Sequence, residues 1–269
     1  MVPDPVLDVL IPTCRRPAAL AVTLAALVGQ RDVAFRVVVA DQTEDGDPFA
    51  VPEVRAVCRV LEATGRPVET RRNLPRRGLA EQRRFLLGRA RAPYVLFLDD
   101  DVILEPWALG ALHRTIRAEG CGFVGAAVVG LSHAGDVRPA EEAIEFWDGP
   151  VRPERIEPGE GAWHRHRLHN AANLLHVARR LGLDARRPRT YRVAWVGGCV
   201  LYDAAKLRAV GGFEFWRELP VDHCGEDVVA QLRVMERFGG CGLVPSGAYH
   251  QELPTTVPDR RVDAPRVLE

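Results

Sequence analysis

What most limits the possible folds is the placement of three apolar runs, Val6–Ile11, Phe35–Ala40 and Tyr94–Leu98, each of which stops at a polar loop. Apolar runs of this length read as strands covered on both faces. Helix-like stretches separate them: Ala18–Val28, residues 53–63, and Leu79–Ala90 opened by Gly78. Val68–Thr70 reads as a short further strand. Strands alternating with helices predict an α/β fold with an open, mostly parallel sheet that binds ligands at the carboxyl ends of its strands. The polar loops after Ile11, Ala40 and Leu98 should then meet in one crevice. From His133 to Thr190 the composition turns to Arg, His, Pro and Glu with weaker periodicity, so a loop-rich insertion is expected there, with one helix near Asn170–Leu181. Order returns at Val193–Tyr202. Pro254–Glu269, with three prolines and many charges, reads as a surface tail.

The chain has 269 residues, 47% of them hydrophobic and 27% charged, which supports a buried core and argues against disorder. Its formal net charge is zero, so there is no broad basic surface and nucleic acid is not an expected partner. Lys206 is the only lysine; the rest of the positive charge is arginine, whose planar fork suits phosphates and carboxylates. The six cysteines are scattered without a CxxC pair, as for free thiols in a reducing compartment. No signal peptide is expected near Met1. The longest apolar stretch, Ala18–Val28, is about half of the ~20 residues a spanning helix needs, so no transmembrane segment is expected. These features point to a cytoplasmic protein that touches a membrane only through its substrate.

The segment closing the third strand, Asp99-Asp100-Asp101, carries the most specific chemistry. Three adjacent carboxylates repel one another and call for a cation or strong donors nearby. Hard divalent ions such as Mg²⁺ or Mn²⁺ take oxygen ligands and commonly bridge one or two carboxylates to substrate phosphates. If side chains alternate here, Asp99 and Asp101 point one way and Asp100 another. A solvated acidic turn is the bland alternative.

The order of motifs resembles the inverting glycosyltransferases of family 2, which have the GT-A fold. The resemblance runs from Val6 to about His250. Val9-Leu10-Ile11-Pro12-Thr13-Cys14-Arg15-Arg16-Pro17 looks like the family's first nucleotide-binding loop, and Val37-Val38-Val39-Ala40-Asp41-Gln42-Thr43 like its second. Gly78-Leu79-Ala80-Glu81-Gln82-Arg83 resembles its glycine-to-arginine helix start, and Phe97-Leu98-Asp99-Asp100-Asp101 its Asp-x-Asp motif. Val196-Gly197-Gly198-Cys199 and Gly211-Gly212-Phe213 look like its acceptor-side glycine turns. Gly225-Glu226-Asp227, with Arg233, looks like its Glu-Asp motif. Ala40 departs from the pattern, since many members carry a further acidic residue there.

The resemblance implies a single GT-A domain over residues 1–253, with a nucleotide-binding half to about 130, an acceptor-binding half beyond it, and a tail at 254–269. It implies a nucleotide-diphosphate sugar donor held by Thr13, Arg15, Asp41, Arg83, Asp99 and Asp100. A Mn²⁺ or Mg²⁺ ion would lie at Asp101 and Asp99, with His250 as a late ligand. Trp195, Gly197 and Gly198 would border a hydroxyl acceptor, whether a glycan, a lipid-linked sugar or a small molecule. Asp227 matches the general base, Glu226 orients the acceptor or holds the turn, and Asp222 is a weaker rival. A carboxylate at Asp41 accepts the imide N–H of uracil or thymine, or the N–H edge of guanine, which leaves UDP, dTDP and GDP sugars open; UDP is the first expectation for such a donor.

Each role has a bland counterpart. Glu226 and Asp227 would also serve as acidic first-turn residues of a helix. His164, His166 and His169 match no common zinc spacing and sit among arginines, which favours an acceptor loop or a solvated surface. Two other functions compete. A nucleotidyltransferase would normally have a glycine-rich phosphate loop, which Pro12-Thr13-Cys14-Arg15-Arg16 lacks. A catalytically silent module binding sugar nucleotides or glycans would not need Asp101 and Asp227 intact.

Overall fold

The computed structural model describes residues 4–257 and 260–268; the expected start of the domain at Met1 and tail positions 258, 259 and 269 lie outside the described residues. In chain order the strands are β1 (Leu7–Thr13), β2 (Phe35–Asp41), β3 (Val68–Arg72), β4 (Tyr94–Leu98), β5 (Val102–Leu104), β6 (Phe123–Gly125), β7 (Arg189–Tyr191), β8 (Cys199–Asp203), β9 (Gly240–Val244) and β10 (Ala248–His250). The helices are α1 (Pro17–Val28), α2 (Pro52–Ala63), α3 (Leu79–Leu87), α4 (Ala108–Glu119), α5 (Asn173–Arg180), α6 (Ala204–Ala209), α7 (Glu226–Phe238) and α8 (Ala264–Val267).

The expected α/β fold with a mostly parallel sheet is the one the chain adopts. Eight strands order as β3-β2-β1-β4-β8-β6-β9-β7, with β1 parallel to β2 and β4, β2 to β3, and β6 to β9. β8 runs antiparallel between β4 and β6. Alternate strand residues feed opposite cores: Leu10, Val38, Val95 and Phe97 join one cluster, while Val9, Ile11, Val37, Val39, Leu96 and Leu98 join the other. This division explains the unbroken apolar runs, because every position along these strands is covered. Asp8 and Arg36 are the buried exceptions, pairing in register across β1 and β2, with Arg36 Nε and Nη2 2.8 and 3.0 Å from the two Asp8 oxygens. This two-pronged pair satisfies both groups away from water.

The helix expected from Leu79 ends at Leu87, with Gly88 as its C-cap. The insertion has the expected helix, α5, and its Ile156, Leu168, Leu174 and Val177 bury themselves in the first core cluster. It is therefore part of the folded body. The stretch from Pro254 corrects the expectation of a surface tail: Cys224 N–H donates to Val262 O at 3.0 Å, and Ala264 N–H returns to Cys224 O at 2.8 Å. Ala264 is fully buried beside the first turn of α7. The local polarity of the tail hid this because two backbone bonds and the buried Ala264 and Pro265 anchor it. Among the described residues, no helix is long and apolar enough to cross a membrane.

Candidate active site

Strand register sets Thr13 opposite Asp41, and Asp41 opposite Arg72, at the carboxyl ends of β1, β2 and β3. Asp99, Asp100 and Asp101 follow directly on β4. Above these ends lies a cavity of about 770 Å³ lined by Thr13, Arg83, Asp99, Asp100, Asp101 and His250 on one part, and by Trp195, Gly197, Gly198, Glu226 and Asp227 on another. Eleven of the residues singled out above thus share one space. Arg15 and Asp41 do not border it.

The three aspartates occupy a turn, so strand alternation does not govern them. The expectation that Asp99 and Asp101 point one way and Asp100 another is corrected. Asp100 and Asp101 share Arg16, whose Nη1 lies 3.5 Å from Asp100 Oδ1 and 2.6 Å from Asp101 Oδ2. Asp99 instead meets Arg83 Nη2 at 3.1 Å. Asp100 also accepts a 2.6 Å bond from the Thr13 hydroxyl. Burial outweighs these donors and pushes the Asp100 carboxyl up to about 7. The turn is tied from below, where the Thr23 hydroxyl donates to Asp100 O at 2.8 Å and accepts from Val102 N–H at 3.1 Å. Gln251 N–H donates to Asp101 O at 2.8 Å. Antiparallel pairing of β5 and β10 sets His250 opposite Val102, and its Nε2 is 3.4 Å from Asp101 Oδ2.

Among the described residues, no three His, Cys, Asp or Glu side chains form a ready metal cage. The donor set still fits a hard ion of the Mg²⁺ or Mn²⁺ type, which needs only one or two carboxylates when phosphates and water complete its shell. Asp100 and Asp101 already converge on one cationic atom, Nη1 of Arg16.

Arg83 joins this loop to the far side of the cavity. It is 4% exposed, meets Glu226 Oε1 at 2.8 Å as well as Asp99, and lies over the Phe97 ring at 5.5 Å. Burial opposes its charge, but Asp99, Glu226 and Asp227 outweigh it and raise its pKa. Arg83 is thus spent on protein carboxylates, and it holds Asp99 and Glu226 in fixed relation. Glu226, 2% exposed, is a positioning residue here. Asp227 follows it in the first turn of α7 and borders the cavity. Burial first, then the adjacent Glu226, raises the Asp227 carboxyl to about 7, the range useful to a general base near neutral pH. Gly225 enters this turn at φ 78°, and a Cβ there would lie 2.6 Å from Asp263 Oδ1, so only glycine lets the last segment close on α7. Asp222 pairs with Arg76 at 2.6 Å at the surface, away from this cavity.

A second pocket of about 360 Å³ adjoins the first and is bordered by Cys14, Arg15, Gln42, Arg76, Val221 and Val257 among others. Arg15 reaches out to Asp45 at 3.0 Å. Asp41, expected to meet the base, is fully buried and borders neither pocket. Its Oδ1 accepts from the Thr43 hydroxyl at 2.5 Å and Thr43 N–H at 3.1 Å, and its Oδ2 lies 2.9 Å from Arg72 Nε. As folded, Asp41 holds its neighbours and presents no oxygen to a base.

On the acceptor side, Trp163 of the insertion borders the cavity together with Trp195. His164, His166 and His169 do not converge: they bond to Gly161 O, Trp163 O and the Tyr191 hydroxyl, respectively. Sequence reasoning missed Arg16, Trp163 and the final segment, from which Arg260, Arg261 and Arg266 reach the cavity edge. Arg16 stood inside a recognised motif, so its neighbourhood was the available signal; the other residues had none.

A family model described as glycosyl transferase family 2 matches residues 8–177. A search of curated proteins found no match. Among solved structures, the chain is similar to S. aureus TarS 1-349 at a TM-score of 0.58 and 13% identity, covering 91% of this chain and 60% of that one. It is similar to the same protein in complex with UDP-GlcNAc at a TM-score of 0.55 and 14% identity, covering 93% and 60%. The mannosyltransferase PcManGT from Pyrobaculum calidifontis, in complex with GDP-Man and Mn²⁺, matches at a TM-score of 0.57 and 14% identity, covering 94% and 59%. The chain therefore spans about 60% of the length of these relatives, and the likeness shows the GT-A fold.

Proposed function

The chain belongs to glycosyl transferase family 2, and from that premise we propose that it moves a sugar from a nucleotide-diphosphate sugar to an acceptor hydroxyl, inverting the anomeric carbon. The observation that carries this reading is a single cavity bordered by both the Asp99–Asp101 turn and Asp227, with Arg83 bridging their supports. Most donor-side residues lie before about residue 130 and most acceptor-side residues in 131–253, while His250 and the Val221 and Val257 walls of the smaller pocket cross to the donor side.

Asp227 accepts the proton of the acceptor hydroxyl. The freed oxygen pair forms the new bond to the anomeric carbon from the face opposite the leaving group, and the bond to the diphosphate oxygen breaks with its electrons leaving on the nucleotide diphosphate. Asp101 and Asp100, which converge on one atom of Arg16, with His250 3.4 Å from Asp101, would hold Mn²⁺ or Mg²⁺ in place of the expected pair of Asp101 and Asp99, and the ion would supply Lewis-acid stabilisation of the departing charge when bound. Thr13 and Asp100 frame the donor's phosphates. The base enters the smaller pocket beside Cys14 and Gln42, and because Asp41 presents no oxygen there, uracil, thymine and guanine all stay open.

Transfer assays with UDP, dTDP and GDP sugars test the reading. General-base catalysis contributes roughly 10²–10⁴-fold, so Asp227→Asn should lower turnover by about that factor while calorimetry shows nucleotide affinity nearly unchanged. A variant that turns over at the parent rate sinks the assignment of Asp227.

A further inference from the structure

Resting on that reading of the cavity, we infer that the acceptor is a sugar ring, or carries one, and that it stacks on an aromatic shelf made by Trp195 and Trp163. The two indoles reach the cavity from separate parts of the chain, Trp195 ahead of β8 and Trp163 within the insertion. They are locked together by His166, whose ring stacks on Trp195 with planes 10° apart at 6.2 Å and tilts against Trp163 at 5.8 Å. His166 Nδ1 bonds to Trp163 O at 2.7 Å.

The shelf is rigid. Its 3₁₀ helix, Gly161–His169, buries Leu168, and Arg165 anchors it to Glu145 and Glu154 at 2.8 and 2.7 Å. His169 Nε2 lies 2.9 Å from the Tyr191 hydroxyl.

The shelf is also joined to the Asp99 turn through two glycines. A Cβ at Gly197 would meet only Trp195 Cζ3, at 3.4 Å, while one at Gly198, where φ is 79°, would strike Val128 Cγ2 at 2.7 Å. Gly198 must therefore stay bare for the chain to pass Val128, and its carbonyl takes the Asp99 N–H at 2.9 Å. Trp195 and Asp99 thus border one cavity across a two-residue step.

A pyranose suits that setting. One of its faces is a patch of polarised C–H groups that rests on the electron-rich face of an indole, while its hydroxyls stay free for the polar wall. An alkyl chain or an extended peptide offers no such flat C–H face to an indole, so octanol and a serine peptide are the competing acceptors in the test.

Titration of the parent with methyl gluco-, galacto-, manno- and rhamnopyranosides, read by indole fluorescence, tests the inference alongside calorimetry with UDP and Mn²⁺. At least one pyranoside should give a saturable change. Trp195→Ala and Trp163→Ala should each weaken its binding by roughly tenfold, as expected for a lost stacking partner, while Trp195→Phe retains most of it and UDP affinity stays put. The inference is overturned if none of the four sugars binds, if affinity is the same in both alanine variants, or if 1-octanol or a serine peptide is the acceptor whose use survives both. Pyranoside binding that depends on the indoles in a protein that binds no nucleotide would support the shelf and overturn the donor reading instead.

Discussion

Replacing Arg83 with methionine would remove the charge that joins the two halves of the site while keeping an apolar stem over Phe97. Arg83 is 4% exposed and Glu226 2%, so water cannot take over the lost contact at 2.8 Å. Breaking one side of a buried ion pair costs about 3–5 kcal/mol, because the remaining charge stays desolvated. Asp99 adds little to that figure, since its side chain is 38% exposed and solvent screens it. In a domain of roughly this size, 1 kcal/mol moves Tm by about 2–4 °C, so a drop of about 6–20 °C is expected. The charge also matters for chemistry. Asp227 titrates near 7 despite the attraction of Arg83, so removing that attraction should shift the acid limb of kcat to higher pH. Calorimetric unfolding and a pH–rate profile read the two effects separately. Adding Glu226→Gln to the variant should recover most of the stability, because neither partner then carries an unmatched charge. A loss below about 1 kcal/mol, or a double variant no more stable than the single one, would refute the view that Arg83 and Glu226 form a buried structural pair.

Nucleotide diphosphate binding should need both a divalent ion and Asp101, since phosphate and clustered carboxylates repel; equal affinity in EDTA and in Mn²⁺, measured by calorimetry, would rule the ion out. In the parent enzyme kcat should fall as pH drops below about 7, because Asp227 must be ionised to accept a proton and its carboxyl is raised to about 7. A profile flat from pH 6 to pH 8 would contradict this. His169, whose pKa burial lowers from 6.5 to about 4, takes up a proton first in the unfolded chain. The stability it contributes above about 6.5 should therefore be lost as pH falls toward 4, and urea titrations of His169→Gln should show a shallower loss over that window.

The fold was legible because its signals are local. Tyr94–Leu98 appears as β4 with the expected bounds, since five apolar residues stopped by aspartates have few other fates. The polar loops at the strand ends were legible for the same reason, each being a short contiguous motif. What escaped depends on pairs far apart in sequence. Arg83 with Glu226 and Arg16 with Asp101 meet only after the sheet has closed. Nothing in Ala264 or Pro265 distinguished them from surface residues, although both are buried. Asp41 shows the opposite failure: a motif correctly located whose carboxylate is already engaged by Thr43 and Arg72.

The guanidinium of Arg16 also hydrogen-bonds Pro254 O while it sits on Asp100 and Asp101. A tethered cation of this kind is present at a very high effective concentration, so a bare ion in solution competes poorly for the same oxygens. An ion that arrives with a diphosphate competes better, because the phosphates give the displaced arginine new partners. Ion and donor are then linked thermodynamically, each raising the other's affinity by the same factor. On the proposed reading, metal binding measured without nucleotide should therefore be weak and should strengthen when the nucleotide diphosphate is added.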